Sequence, residues 1–133
     1  MTTKPDIRDR QDIDLLVDQF YSRVRRDSLL SPIFSKRIPT DADWPHHLHI
    51  IADFWETVLF AKPGYFGNPF PKHVGLEIKK EHFDRWIELF YKTIDEHFEG
   101  LMATDAKQRA AKMRTLFEIK LGQSGKEGFK SLV

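Results

Sequence analysis

The middle of the chain reads Asn68-Pro69-Phe70-Pro71-Lys72-His73-Val74-Gly75-Leu76. Two prolines and a glycine confine His73 to about one or two turns of helix, because proline interrupts a helix and glycine favours its end. Long amphipathic segments flank this piece on both sides. So short a segment adds little stability to a helical protein, but it can present a ring nitrogen to a metal at a fixed angle. Neutral imidazole is the commonest metal ligand among side chains, so His73 is the first candidate ligand.

The composition is that of an ordinary folded domain. The chain has 133 residues, of which 41% are apolar and 31% charged, so we expect a single domain over residues 1–133 with room for a core. The formal net charge is +1 and no basic stripe stands out, which argues against a nucleic-acid partner. No apolar run reaches the length of a membrane span, so we expect no membrane partner either.

The chain contains no cysteine. This excludes disulfides, thiolate metal ligands and covalent cofactor attachment through a Cys-x-x-Cys-His motif. Residues 1–10 contain no apolar stretch of the kind found in signal peptides. Both observations fit a reducing compartment, and we predict a cytoplasmic protein.

The periodicity of the apolar residues predicts an all-α fold with four long helices, because spacings of three and four place them on one face. The predicted stripes are Ile13 to Val24, His47 to Leu59, Phe83 to Phe98 and Ala106 to Leu121. We expect the second helix to begin near Asp43 or Trp44, the third to run roughly from Glu81 to Glu99, and the fourth to be capped by Thr104 and to stop at Gly122. A helical piece at 29–34 should be interrupted before Pro32. Residues 1–10 are predicted to be loose, and 122–133 to form a polar tail.

Three of these stripes each contain a residue with an apolar body and a polar tip: Tyr21, His47 and Trp86. Phenol, imidazole and indole can each donate a hydrogen bond. Each residue alone is better explained as a core aromatic whose donor finds a backbone partner. Together with a proline-flanked histidine, they favour a second hypothesis, in which the three tips converge on a small polar ligand bound opposite His73.

Other metal or catalytic sites have weaker support. His46 and His49 are three residues apart, but no cysteine or second His-x-x-His segment completes a zinc site. The helical wheel places His47 inward with Ile51 and Phe54, and His46 outward. The Glu-x-x-His pairs of a di-iron bundle, glycine-rich phosphate loops and Gly-x-Ser-x-Gly are all absent from the sequence.

An ordered set of short motifs resembles the truncated haemoglobins, specifically their third, bacterial subgroup. The set comprises Phe20-Tyr21, Pro32-Ile33-Phe34, Trp44-Pro45-His46-His47, Phe54-Trp55, Pro71-Lys72-His73 and Phe83-Asp84-Arg85-Trp86. No motif is specific alone, but their order over residues 20–86 is, and the flanking helices match to about residue 121. The resemblance implies a shortened globin fold whose helices sandwich a non-covalent haem b.

The same resemblance implies roles for individual residues. His73 is expected to bind the iron, which leaves it five-coordinate. Tyr21 and Trp86 are expected to donate hydrogen bonds to the bound gas, with His47 as the distal histidine at the pocket mouth. Phe34 is expected to wedge the haem, and Ile51 to line the distal wall. The His46-His47 pair leaves the register of the distal histidine open by one residue, and the wheel favours His47.

These residues predict a haem protein that binds O2 and related ligands such as NO, CO or peroxide. A polar pocket suits redox chemistry of O2, NO or peroxide, similar to that of an NO dioxygenase or a peroxidase and dependent on an unidentified electron donor, better than it suits transport. Two alternatives stay open at this point. One is a haem-based gas sensor or carrier without turnover, and the other is a cofactor-free helical interaction module in which every aromatic residue belongs to the core.

Overall fold

The computed structural model describes residues 4–37, 41–61 and 79–124, and the predicted iron ligand His73 lies outside them. Within these ranges the chain is helical and has no strand, and the all-α prediction is confirmed. The helices are α1 Arg10–Arg26, α2 Ser31–Arg37, α3 Trp44–Phe60, α4 Lys80–His97 and α5 Leu101–Ser124, with a 3-10 turn at Asp41–Asp43. None of the helices described is both long and apolar enough to cross a membrane.

Helix α1 lies at the centre of the packing, because it contacts both α3 and α4, while α5 packs on α4 and α3. Its N-terminus is capped by the Asp9 carboxylate, which accepts the Asp12 N–H at 3.1 Å. Its buried stripe is Ile13, Leu16, Val17, Phe20, Tyr21 and Val24. Fully burying one large apolar side chain stabilises a fold by roughly 1.5–3 kcal/mol, so this stripe fixes which face of α1 points inward.

Polar contacts set the register of α1 against α4. The Arg23 guanidinium donates to the Thr93 hydroxyl at 3.2 Å and pairs with Glu96. Thr93 is fully buried, so its hydroxyl needs such partners. One turn further along, Arg85 lies 3.4 Å from the Asp27 carboxylate that follows α1. These contacts bring the inner faces of the two helices opposite one another.

A second set of ion pairs joins α1 to α3. Arg10 Nη1 lies 2.7 Å from Asp53 Oδ1 and 3.1 Å from Glu56 Oε1. The Arg10 side chain is 27% exposed, and partly exposed pairs of this kind contribute little to stability. Their value here is geometric, because they hold the start of α1 against the middle of α3.

The segment before α1 is anchored, where the sequence predicted residues 1–10 to be loose. Ile7 is 1% exposed, and the Glu99 N–H donates to the Pro5 carbonyl at 2.9 Å. The Asp6 carboxylate accepts the N–H groups of Met102 and Ala103 at 2.9 and 2.8 Å. The expectation therefore does not hold for residues 4–9, because Asp6 caps a helix some hundred residues away in the chain, a contact with no local signal in the sequence.

The start of α5 differs from the prediction for the same reason. The helix begins at Leu101 rather than at Thr104, since its first N–H groups are capped by Asp6 and not by Thr104. Gly100 precedes it with φ of +145°, and a Cβ there would lie 2.5 Å from the Asp6 Cγ. Glycine is therefore required both by the backbone conformation and by the close approach of Asp6.

Several other helix boundaries, and the orientation of one residue in the apolar stripe predicted for the fourth helix, differ from the prediction. Pro32 lies in the first turn of α2 rather than beyond its end, a position where its missing N–H costs nothing. Helix α4 ends at His97, and Phe98 is extended. Leu116 was predicted to face inward but is 52% exposed, because it lies roughly 80° around the helix from Ala106. Helix α5 extends two residues past Gly122. Helix α3 begins at Trp44 as predicted.

The Asp6 cap generates a test of the fold. Replacing Asp6 with Ala leaves the N–H groups of Met102 and Ala103 without their acceptor, and we expect the free energy of unfolding to fall by about 1–2 kcal/mol. The measurement is urea unfolding followed by circular dichroism. Asp105→Ala is the matched control, since Asp105 makes only a surface ion pair with Arg109, worth at most about 1 kcal/mol. An equal effect of both substitutions would contradict the assigned cap.

Candidate functional site

Tyr21 is the residue around which the other predicted site residues gather. It lies on the buried face of α1, and its side chain is 8% exposed. Burial raises the pKa of its phenol to about 12, although a hydrogen bond from Trp86 acts in the opposite direction. The indole nitrogen can only donate, so Trp86 would be the donor in a hydrogen bond between these two side chains. The raised pKa keeps the phenol protonated at neutral pH.

Trp86 lies in the middle of α4, and its ring is held by two phenylalanines. It stacks on Phe90 with a centroid distance of 5.7 Å and an interplanar angle of 6°. Phe20 of α1 meets it edge-on at 5.6 Å. Offset-stacked and edge-to-face pairs are the favoured arrangements of aromatic rings. These contacts fix the plane of the Trp86 indole ring.

His47 reaches the same place from α3. Its ring centroid lies 6.0 Å from that of Tyr21, at an interplanar angle of 87°. His47 is half-buried, whereas His46 and His49 are exposed, as the helical wheel predicts. The structure thus brings Tyr21 and His47 together through a ring contact. It also places Trp86 near enough to Tyr21 to act on the pKa of its phenol.

The apolar residues predicted for the site are placed as follows. The Phe34 ring of α2 lies 5.9 Å from that of Tyr21, edge-on. Ile51 of α3 is half-buried and packs against the hydrophobic core. His73 falls in the part of the chain that is not described, so its role stays a prediction. Among the residues the structure does describe, no group of three or more His, Asp or Glu side chains could hold a metal ion.

Trp44 is a site residue to which the sequence analysis gave no role. Its ring lies 6.0 Å from Tyr21 and 5.4 Å from His47. The sequence analysis marked it as the start of α3 and as part of the Trp44-Pro45-His46-His47 motif, without assigning it to the site. The spacing of Trp44 and His47, three residues apart on one helix, is the signal that could have identified it, because side chains at that spacing are neighbours.

In chemical terms the site combines a phenol and an imidazole, with an indole nearby, in aromatic surroundings. The rings of Phe34, Trp44 and His47 lie around that of Tyr21. Hydrogen bonds in such surroundings are electrostatically stronger than in water. The described residues are therefore suited to a small ligand that acquires partial negative charge.

Comparisons with known proteins show similarity to globins. The sequence model of the bacterial-like globin family matches residues 6–120. The group 3 truncated hemoglobin ctb of Campylobacter jejuni is 32% identical over 118 residues, which span 87% of this chain and 93% of that protein. The group 1 truncated hemoglobin GlbN of a Nostoc species is 36% identical over 73 residues, or 54% of this chain and 58% of that protein.

The similarity extends to three dimensions. The crystal structure of a group III truncated hemoglobin from Campylobacter jejuni superposes on this chain with a TM-score of 0.82 at 30% sequence identity. The superposition covers 90% of this chain and 95% of the other.

The raised pKa of Tyr21 predicts a pH dependence of stability. The folded-state pKa of about 12 lies above the ordinary value of 10.0, so the unfolded chain loses this proton first as the pH rises. The stabilisation that the protonated Tyr21 phenol gives the folded state is fully present below pH 10. It is lost between about pH 10 and pH 12, at roughly 1.4 kcal/mol of unfolding free energy per pH unit. Tyr21→Phe has no proton to lose at this position.

The measurement is urea unfolding of both proteins between pH 8.5 and 11.5. We expect the stability of wild type relative to Tyr21→Phe to be constant up to about pH 10. Above that pH, wild type should lose free energy of unfolding relative to the variant. A difference that stays constant over the whole range would show that the phenol is not buried.

Proposed function

Because this chain belongs to the bacterial-like globin family, whose truncated haemoglobins bind a non-covalent haem b, we propose that it binds O2 and related diatomic ligands at a five-coordinate iron held by His73. The chain binds haem b, and family membership removes the cofactor-free helical module as an alternative. The residues that hold the haem, the ligand pocket and the reaction are parts of this proposal.

The described residues fit a non-covalent haem. The sequence has no cysteine for covalent attachment, and Phe34, Trp44 and His47 present flat ring surfaces beside Tyr21. The phenol of Tyr21 is neutral and buried. When bound, the haem iron supplies the position at which a diatomic ligand coordinates. Phe34 and Ile51 would contact the haem, and His73 would bind the iron.

The observation that supports the ligand site most strongly is the burial of the Tyr21 phenol, 8% exposed, beside the Trp86 indole, which acts to lower the pKa of that phenol. We propose that the single N–H of the indole faces the phenol oxygen, so that the Tyr21 O–H is the group that donates to a ligand. Accepting a hydrogen bond polarises the phenol, which strengthens the bond it donates in turn. Trp86 therefore acts through Tyr21, where the sequence suggested two independent donors.

His47 has a different proposed role. It lies in the first turn of α3 and is half-buried, so it stands between Tyr21 and the solvent. With Tyr21 already donating, a further donor adds little, and we propose that the His47 side chain controls ligand entry. His47→Leu should then alter ligand association more than O2 release. The opposite result would make His47 a direct donor.

For the reaction, the pocket suits redox chemistry of O2, NO or peroxide with an electron donor better than it suits O2 transport. A donor that slows ligand release favours conversion of the bound ligand over its delivery. Sustained consumption of NO or peroxide with an added reductant supports this role, whereas stoichiometric binding without turnover supports a sensor or carrier. The cytoplasmic location stays a prediction from the sequence.

The role of His73 can be tested by substitution with Gly. We expect loss of the bond from the protein to iron, so that haem binds weakly and added imidazole restores a five-coordinate ferrous spectrum. Absorption spectra of ferrous and carbonmonoxy protein measure this. His49→Gly, at an exposed histidine, serves as the control. Unchanged wild-type spectra in His73→Gly without imidazole would exclude His73 as the ligand.

The relay from Trp86 through Tyr21 predicts how O2 release responds to substitution. A hydrogen bond to a partly charged group contributes roughly 1.5–3 kcal/mol, so Tyr21→Phe should speed release by about tenfold to a hundredfold. Trp86→Phe should have a smaller effect, about two- to tenfold, because it removes a neutral bond one step from the ligand. Stopped-flow displacement of O2 by carbon monoxide gives these rates.

The double variant separates a relay from two independent donors. If Trp86 acts through Tyr21, Trp86→Phe adds nothing to release once Tyr21 is already Phe. If both residues donate to the ligand, the two effects multiply in the double variant. Rates unchanged in both single variants would remove this pair from the ligand site altogether.

A further inference from the structure

We propose that Trp44 is a positioning residue for His47 and that the Arg25 guanidinium clamps the Trp44 ring from outside. The proposal rests on the proposed function, because His47 is taken as the residue that controls ligand entry. It adds two residues, one of them exposed, to a site otherwise formed by buried groups.

Trp44 joins three helices at the edge of the site. It is the first residue of α3, and it is 5% exposed. Its ring lies 6.0 Å from Tyr21 of α1 and 6.3 Å from Phe34 of α2. It meets His47 edge-on, at 5.4 Å and an interplanar angle of 86°. A ring wedged in this way restricts rotation of the imidazole beside it.

Trp44 and His47 both lie in the first turn of α3, three residues apart. Side chains at this spacing are neighbours on one helix face. The position of the Trp44 ring therefore acts directly on the position of the imidazole.

Arg25 of α1 also contacts the Trp44 ring. Its guanidinium carbon lies 4.7 Å from the centroid of the Trp44 ring, within the range of a cation–π contact. Arg25 follows Tyr21 by four residues on α1, so the two side chains are neighbours along one helix face. The Trp44 ring thus contacts both the Tyr21 ring and the Arg25 cation, and both are presented by α1.

The test uses Arg25→Met, which keeps an unbranched side chain over the ring and removes the cation. Loss of the cation–π contact should free His47 and speed carbon monoxide association after flash photolysis by about two- to fivefold. Arg25→Lys, which retains a cation, should stay closer to wild type. Arg26→Met is the matched control, because it removes the same charge from an exposed neighbouring position and should leave the rate unchanged.

A double variant and a spectroscopic readout decide the mechanism. In the His47→Leu background, Arg25→Met should no longer change the association rate, because the residue it positions is gone. In carbonmonoxy protein with 13C-labelled histidine, the Cε1–H signal of His47, assigned by its absence in His47→Leu, should shift or broaden in Arg25→Met and in Trp44→Phe.

Two results would overturn the proposal. One is an equal acceleration by Arg25→Met with and without His47, and the other is a His47 signal unmoved in both variants. Either would leave the proposed function intact. Failure of the proposed function would instead appear as unaltered O2 release in Tyr21→Phe, which the His47 signal does not report.

Discussion

The proximity of the buried Tyr21 phenol of α1 to the Trp86 indole of α4 is the feature on which the proposed site depends. Burying a phenol without a partner would be costly, and we propose that the indole N–H is that partner. In this arrangement the Tyr21 O–H can donate to one further acceptor. The packing of the helices, the placement of the aromatic rings and the proposed ligand site all depend on these two side chains being opposite one another.

Helix α1 makes this arrangement possible because it lies between α3 and α4. Its inner face brings Tyr21 to Trp86 on one side and to His47 on the other. Ion pairs from Arg10 and Arg23 at either end of the helix hold it against both neighbours. Each of these surface pairs contributes little energy, but together they define the register on which the site geometry depends.

Much of this could be predicted from the sequence, because spacing along one helix determines which residues share a face. The inward orientation of His47 and the exposure of His46 follow from a period of 3.6 residues. Contacts between distant segments could not be predicted in this way. The Asp6 cap on α5 has no local signal, and the placement of Trp86 beside Tyr21 depends on which two helices pack against one another.

The central claim is that Tyr21, held by Trp86, donates a hydrogen bond to the ligand at the haem. The infrared stretching frequency of bound carbon monoxide measures this most directly, because a donor to the ligand oxygen weakens the C–O bond and lowers the frequency. We predict a low frequency in wild type, a clearly higher one in Tyr21→Phe, and an intermediate one in Trp86→Phe. The same frequency in wild type and Tyr21→Phe would contradict the account.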